Sequence, residues 1–300
     1  MSKPFDYVAT FVAGRGAGLT ERAVSGALDD AGLVDAGRDW LAEGLAVDAF
    51  FSGVGHDLAD LRSRLKAALA DDPIDVIVQP TAGRHKKLLV ADMDSTMIGQ
   101  ECVDELAGLV GLRDHVAAIT ERAMRGEVDF ECALKERVAL LSGVTLAEIE
   151  MLLTRITLTQ GGRQLVRTMR AHGAYTALVS GGFTQFTEPV AARIGFDESR
   201  ANLLEIFEGA LTGAVVAPVL GREAKRAALV ELRAALALPR DATMAIGDGA
   251  NDLDMLHEAG LGVAFHAKPK VAAAADARID HGDLTAALYA QGFRREEFVE

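Results

Sequence analysis

The sequence predicts an α/β protein: a doubly wound parallel sheet with a helical cap insertion, preceded by a small α+β unit of ferredoxin-like order. Three observations carry this. Short continuous apolar runs at Leu88–Ala91, Ala177–Val179 and Thr243–Ile246 each end in a polar residue or glycine and lead into a helix-like segment, as strands covered on both faces do. The helical stretch between the first two runs, Gly99 to Thr159, far exceeds the dozen or so residues that a crossover needs. Residues 1–80 instead carry signals in the order strand-helix-strand-strand-helix-strand.

Within that first unit, Phe5 to Val12 alternates as a strand, and Thr20 to Ala31 suits a helix closed by Gly32. Strands around Asp39–Ala42 and Leu45–Phe51 flank a Glu43-Gly44 turn. Asp57 is placed to cap a helix carrying Leu58, Leu61, Leu65 and Leu69 on one face. Asp72-Pro73 ends that helix and Ile74–Val78 is a short buried strand. Gln79 to Lys87, with Pro80, Gly83 and three basic groups, reads as a linker between a first domain over 1–80 and a second over 81–300. In the second, the insertion at about 99–159 is expected to act as a lid, and Thr145-Leu-Ala-Glu148 before Ile149, Met151 and Leu152 is a capping-box pattern. Leu261–Phe265 is a further strand.

Composition narrows the function. The 300 residues are 50% hydrophobic, enough for two modest cores. No apolar run approaches the roughly 18 residues that cross a bilayer. The start, Met1-Ser-Lys-Pro-Phe-Asp6, lacks a signal-type apolar stretch, so a cytoplasmic location is expected. With 44 acidic against 31 basic residues and a net charge of −13, a general nucleic-acid binder is disfavoured. An anionic substrate would then need a local positive field or a metal. Cys102 and Cys132 match neither a disulfide framework nor a zinc site and read as small buried residues.

Ligands of doubly wound sheets bind beyond the carboxyl ends of the strands, where three polar clusters converge. Asp92 and Asp94 leave the first apolar strand; such a pair suits a phosphatase or the metal of a nucleotide-sugar transferase. Thr96 adds a hydroxyl nearby. Ser180-Gly181-Gly182 is either a phosphate cradle, since glycine lets backbone approach closely, or an ordinary turn. It is no nucleophile elbow, because Leu178 stands where glycine is required. Gly247-Asp248-Gly249-Ala250-Asn251-Asp252 packs two carboxylates and an amide behind an apolar strand, a donor set suited to a hard cation. Lys225 opens a helix-like stretch between the last two clusters and alone reads as a solvated lysine. Gly14-Arg-Gly16-Ala-Gly18-Leu19 fails the dinucleotide fingerprint, there is no Walker A pair, and no histidines have zincin spacing.

Taken in this order, Asp92-Met-Asp94-Ser-Thr96, Ser180-Gly181, Lys225 and Gly247-Asp248-Gly249-Ala-Asn251-Asp252 resemble the four motifs of the haloacid dehalogenase (HAD) superfamily. Beyond the superfamily, the chain resembles its phosphoserine phosphatases, through Asp92-Met-Asp-Ser-Thr-Met97 with Glu101, Asp104-Glu-Leu-Ala107, Asp129-Phe130, Arg137-Val-Ala-Leu-Leu141, Val179-Ser-Gly-Gly-Phe183 and Phe265-His-Ala-Lys-Pro269. The likeness spans about residues 85–285, with Ala91 and Gln160 as departures that touch packing. It implies Asp92 as nucleophile and Asp94 as proton donor and acceptor. It further implies Mg2+ held by Asp92, Asp248 and the Asp94 carbonyl, with Ser180, Gly181, Lys225 and Asn251 around the phosphoryl group. Glu101 would meet the ammonium and Arg137 the carboxylate of a small-molecule substrate, phosphoserine. The implied reaction is hydrolysis of O-phospho-L-serine to L-serine and phosphate, the last step of serine biosynthesis. Neither nucleic acid nor membrane is expected as a partner, and homodimerisation is left open. The first domain resembles the ACT-like domains of some bacterial members. Two alternatives stay open: a phosphotransferase using an acceptor such as homoserine, and an amino-acid sensor with a vestigial site.

Overall fold

A computed structural model of the chain describes residues 5–33, 37–53, 58–69, 72–124 and 127–300. The first part runs β1 (Tyr7–Ala13), α1 (Glu21–Asp30), β2 (Gly37–Ala42), β3 (Ala46–Phe51), α2 (Leu58–Ala68) and β4 (Ile74–Pro80). Its strands make one antiparallel sheet in the order β2-β3-β1-β4, the arrangement of a ferredoxin-like unit. α1 begins where Thr20 accepts a hydrogen bond from the Ala23 N–H, satisfying a donor that the first turn leaves free. Asp57, expected to cap α2, lies outside the described residues.

Both faces of this sheet are covered. Phe11, Val76 and Val78 pack with Leu28, Leu61 and Leu65 of the two helices. Their strand neighbours Val12 and Ile77, on the other face, join the core of the rest of the chain with Leu288 and Tyr289. Each such buried aliphatic contributes roughly 1.5–3 kcal/mol, so the shared face holds the two parts together. The segment read as a linker is also fixed. Gln79 and Pro80 belong to β4, and the buried Gln79 side chain donates to Ala290 O at 2.6 Å. Arg84 clasps Asp48 through two 2.6 Å hydrogen bonds and donates to Ala290 O at 2.8 Å. Asp75 accepts from the backbone N–H of Asp280 and of Gly282, both at 2.7 Å. Linker composition alone could not reveal that these polar groups have partners more than two hundred residues away.

The second part comprises β5 (Leu88–Ala91), α3 (Cys102–Leu109), α4 (Arg113–Met124), α5 (Phe130–Ala139), α6 (Leu146–Leu153), α7 (Gly162–Ala171), β6 (Tyr175–Phe183), α8 (Thr184–Ile194), β7 (Glu198–Phe207), β8 (Ala210–Val216), α9 (Arg222–Ala235), β9 (Thr243–Gly247), α10 (Leu253–Glu258), β10 (Leu261–Phe265), α11 (Pro269–Ala274), β11 (Ala277–Ile279) and α12 (Ala286–Ala290). Seven strands form one sheet in the order β11-β10-β9-β5-β6-β7-β8. All its pairings are parallel except β7 with β8. From the central β5 the chain builds outward through β6 and β7, then returns to the other side as β9, β10 and β11. The order therefore reverses between β5 and β9, and a crevice opens beyond their carboxyl ends.

α3 to α6 form the cap. Its two connections to the sheet are zipped together: Ile98 bridges Leu158, and Gly99 N donates to Thr157 O at 3.1 Å. The expected capping box is present, with Glu148 N donating to Thr145 Oγ1 at 3.3 Å and Thr145 N donating to Glu148 Oε2 at 2.8 Å. The β7–β8 hairpin was not foreseen, because its half-exposed strands lack the continuous apolar pattern of the others. It docks on the cap, where Gly143 N donates to Leu211 O and Leu211 N to Val144 O, both at 2.8 Å. Cys102 is buried as expected, but Cys132 is exposed: it lies in the first turn of α5, on the side facing solvent. Among the described residues no helix is long and apolar enough to cross a membrane.

Candidate active site

Asp92 is the first residue after β5, level with the end of β9, because Ala91 pairs with Ile246 and Asp92 N donates to Ile246 O at 3.0 Å. The chain then makes one wide turn, closed by Ile98 N donating to Met93 O at 3.0 Å. Ser95 in this turn sits at φ 55°, a left-handed backbone that costs a non-glycine residue about 1–3 kcal/mol. The turn aims three groups into the crevice. The Asp92 carboxylate accepts from Met93 N at 2.7 Å. Asp94 accepts from Cys102 N at the start of the cap at 3.4 Å. Thr96 Oγ1 donates to Asp248 Oδ1 at 3.1 Å.

α9 brings Lys225 in from the side. Its ammonium, 3% exposed, lies 2.6 Å from Asp92 Oδ1 and 2.6 Å from Asp252 Oδ1. Asp252 also accepts from Gly249 N at 3.0 Å. A side chain at Gly247 would collide with the Asp252 carboxylate, so the glycine is required for that carboxylate to fold back beneath β9. The sequence reading put Asp252 in the acidic cluster without giving it a partner; it holds Lys225. Burial alone would lower the Lys225 pKa, but Asp252 and Asp92 outweigh it and raise it, so the lysine stays charged.

The carboxylates respond to their surplus. Burial first and Glu101 second raise Asp94 to about 7. Burial and then Asp252 raise Asp248 to about 6, against the Thr96 hydrogen bond. Burial and Asp252 likewise push Asp92 up, opposed by Lys225. Oxygens of Asp92, Asp248 and Asp252 all lie within 4.8 Å of one another. Asp252 is fully buried beneath the site, whereas Asp92 and Asp248 line the cavity above it. A hard divalent cation fits this all-oxygen donor set and would offset the excess negative charge.

A cavity of about 620 Å³ opens above these groups. Its floor is made by Asp92, Asp94, Ser180, Gly181, Asp248 and Asn251; its roof is made by Glu101, Asp104, Phe130 and Arg137 of the cap. Ser180 is buried, and its Oγ accepts from Gly182 N at 2.9 Å. Phe130 opens α5, whose first turn is capped by Asp129, and its ring lies 3.5 Å from where a Cβ on Gly181 would stand. Glu101 accepts from Ser95 Oγ at 2.7 Å. Arg137 is anchored by Nε donating to Ala133 O at 3.2 Å. Asp92, Asp94, Glu101, Arg137, Ser180, Gly181, Asp248 and Asn251 all line this cavity, and Lys225 lies beneath it against Asp92. Lys268, from the Phe265-His-Ala-Lys-Pro269 stretch, and Lys270 also line the cavity; no pattern in the sequence assigns either of them a role there.

Residues 89–257 match the family described as haloacid dehalogenase-like hydrolase. A phosphoserine phosphatase of Streptomyces coelicolor is 43% identical over 84% of this chain, and the chain spans only 62% of that relative's length. A probable phosphoserine phosphatase of Schizosaccharomyces pombe is 40% identical over 84% of the chain and 85% of the relative. The crystal structure of a probable phosphoserine phosphatase from Vibrio cholerae, in unliganded form, superposes with a TM-score of 0.77 at 31% identity, covering 97% of this chain and 88% of that one. The chain thus belongs to the haloacid dehalogenase-like hydrolases and, within them, to the phosphoserine phosphatase family.

Proposed function

We propose that this protein hydrolyses O-phospho-L-serine to L-serine and phosphate through an aspartyl-phosphate on Asp92. The observation that carries the reading is the pairing of two ends of one cavity. Asp92, Ser180 and Asp248 stand at the floor with Lys225 beneath, and Glu101 and Arg137, of opposite sign, stand at the roof. That is a complement to a phosphate on an amino acid, whose ammonium and carboxylate need opposite partners.

In the first step an Asp92 carboxylate oxygen attacks phosphorus, the bond from phosphorus to the seryl oxygen breaks, and Asp94 gives that oxygen a proton. In the second, Asp94 takes a proton from a water whose oxygen attacks the aspartyl-phosphate, releasing phosphate and restoring Asp92. An Asp94 carboxyl raised to about 7 is protonated enough near neutral pH for the first role and ionised enough for the second. Ser180, the Gly181 backbone, Lys225 and Asn251 hold the phosphoryl oxygens, and the cap excludes bulk water. Mg2+, held by Asp92, Asp248 and the Asp94 carbonyl, supplies positive charge against the transferring group when bound.

Steady-state assays on phosphoserine and phosphoethanolamine, which lacks the carboxylate, test the reading. Arg137→Ala is expected to lower kcat/KM for phosphoserine roughly 10- to 150-fold, the worth of a charged hydrogen bond, and to leave phosphoethanolamine nearly unaffected. Equal losses on both substrates would remove Arg137 from carboxylate recognition. A parent enzyme that prefers a phosphosugar to phosphoserine would refute the substrate.

A further inference from the structure

The ladder between β6 and β7 is in register from Ala177↔Glu198 to Val179↔Arg200, then resumes only at Phe183↔Asn202. Four steps along β6 oppose two along β7, so Ser180, Gly181 and Gly182 bulge out of the sheet toward the cavity. A bulge re-aims its residues but leaves backbone groups without ladder partners. Asn202 supplies one. Its Nδ2 donates to Gly181 O at 2.9 Å and to Leu220 O at 3.2 Å, and its Oδ1 accepts from Leu220 N at 2.7 Å. The acceptor bond from Leu220 N fixes which way the amide faces, since the two carbonyls can meet only its N–H groups. The side chain is 1% exposed.

Leu220 immediately precedes Gly221, where α9 begins, and Lys225 lies one turn into that helix. The Asn202 amide therefore ties the bulged Ser180-Gly181 segment to the start of the helix that delivers Lys225. These are the two elements assigned above to the phosphoryl oxygens.

We propose that Asn202 is a positioning residue for phosphoryl transfer, setting the Ser180-Gly181 bulge and the Lys225 helix at one fixed separation. It touches neither substrate nor reacting atoms and acts through the two backbones that it joins. The inference rests on the phosphoryl-transfer reading of the cavity, though not on which alcohol leaves.

The test compares Asn202→Ala and Asn202→Asp with the parent, using phosphoserine, glycerol phosphate and inhibition by inorganic phosphate. Asn202→Asp keeps the shape and the acceptor for Leu220 N but turns one oxygen toward the two carbonyls that Nδ2 bonds, so it probes the same link if the alanine variant does not fold. The expected result is a fall in kcat/KM on the order of a hundredfold on both esters, as for a small misplacement of positioned groups, together with weaker phosphate inhibition. Variants that lose thermal stability but keep parental phosphate inhibition and parental kcat/KM would overturn the proposal and leave Asn202 a structural residue only. A parent that neither cleaves the esters nor responds to phosphate would instead overturn the functional reading, and the role of Asn202 with it.

Discussion

Two buried ion clusters in this protein are built to opposite ends. At the junction between the two sheets, Arg84 meets Asp48 with side-chain exposures of 10% and 1%. One cation faces one carboxylate, and the remaining donors of Arg84 reach Thr10 Oγ1, Tyr289 O and Ala290 O. At the crevice, Lys225 faces Asp92 and Asp252, and Asp248 lies within the same 4.8 Å group. One cation there serves three carboxylates. The first cluster sets one cation against one carboxylate, which suits a lock, and burial still raises the Asp48 pKa against Arg84. In the second, burial first and neighbouring carboxylates next, Asp252 for Asp248 and Glu101 for Asp94, raise both groups, which suits a site that gains from a cation and then handles protons. Burial and ion pairing alone do not separate structure from chemistry; the balance of donors and charges does.

The largest effect that would test this contrast is at Asp92. Asp92→Asn is expected to keep the fold, because an amide preserves shape beside Lys225, while activity on phosphoserine falls about ten-thousandfold or more, as when a nucleophile is removed. Circular dichroism together with turnover checks it, and retained turnover would remove Asp92 from the nucleophile role. Arg84→Ala should do the reverse. Leaving Asp48 buried and unpaired is expected to destabilise the protein by about 3–5 kcal/mol, read from denaturant unfolding, while kcat/KM of the folded enzyme stays at the parental level. Loss of activity without loss of stability would mean that the junction is part of the catalytic machinery.

The smallest effect concerns protons. Glu101 is the second cause, after burial, of the raised Asp94 pKa of about 7. Asp94 must be protonated for the first step, so kcat/KM on an alkyl phosphomonoester should decline as pH rises through about 7. Glu101→Gln removes a neighbouring negative charge, makes ionisation of Asp94 easier, and should move that decline to lower pH. Glycerol phosphate is the suitable substrate, since it has no ammonium for Glu101 to bind. An unmoved or upward-moved midpoint would detach Glu101 from Asp94.

Much of this was legible in the chain itself. Apolar runs ending in Asp92, Ser180 and Gly247-Asp248 marked the parallel strands, because a strand covered on both faces must be apolar throughout and its carboxyl end must turn polar. Thr145 and Glu148 announced their helix, since a capping box is satisfied within four residues.

Other features had no sequence signature. Alone, Lys225 looked solvated, yet it is buried between Asp92 and Asp252. Gln79, Arg84 and Lys86 looked like linker composition, yet Gln79 and Lys86 are buried and Arg84 nearly so. Asn202 stood in a strand with no apolar pattern and turned out to join two loops. The division has one physical reason. Hydrophobic period, caps and turn residues act over a few positions, so the sequence by itself determined the strands, the helices and the acidic motifs that follow them. Partners of buried charges and amides are chosen by how distant segments meet, so which polar group is locked, which is surplus and which positions another was decided only by the tertiary structure.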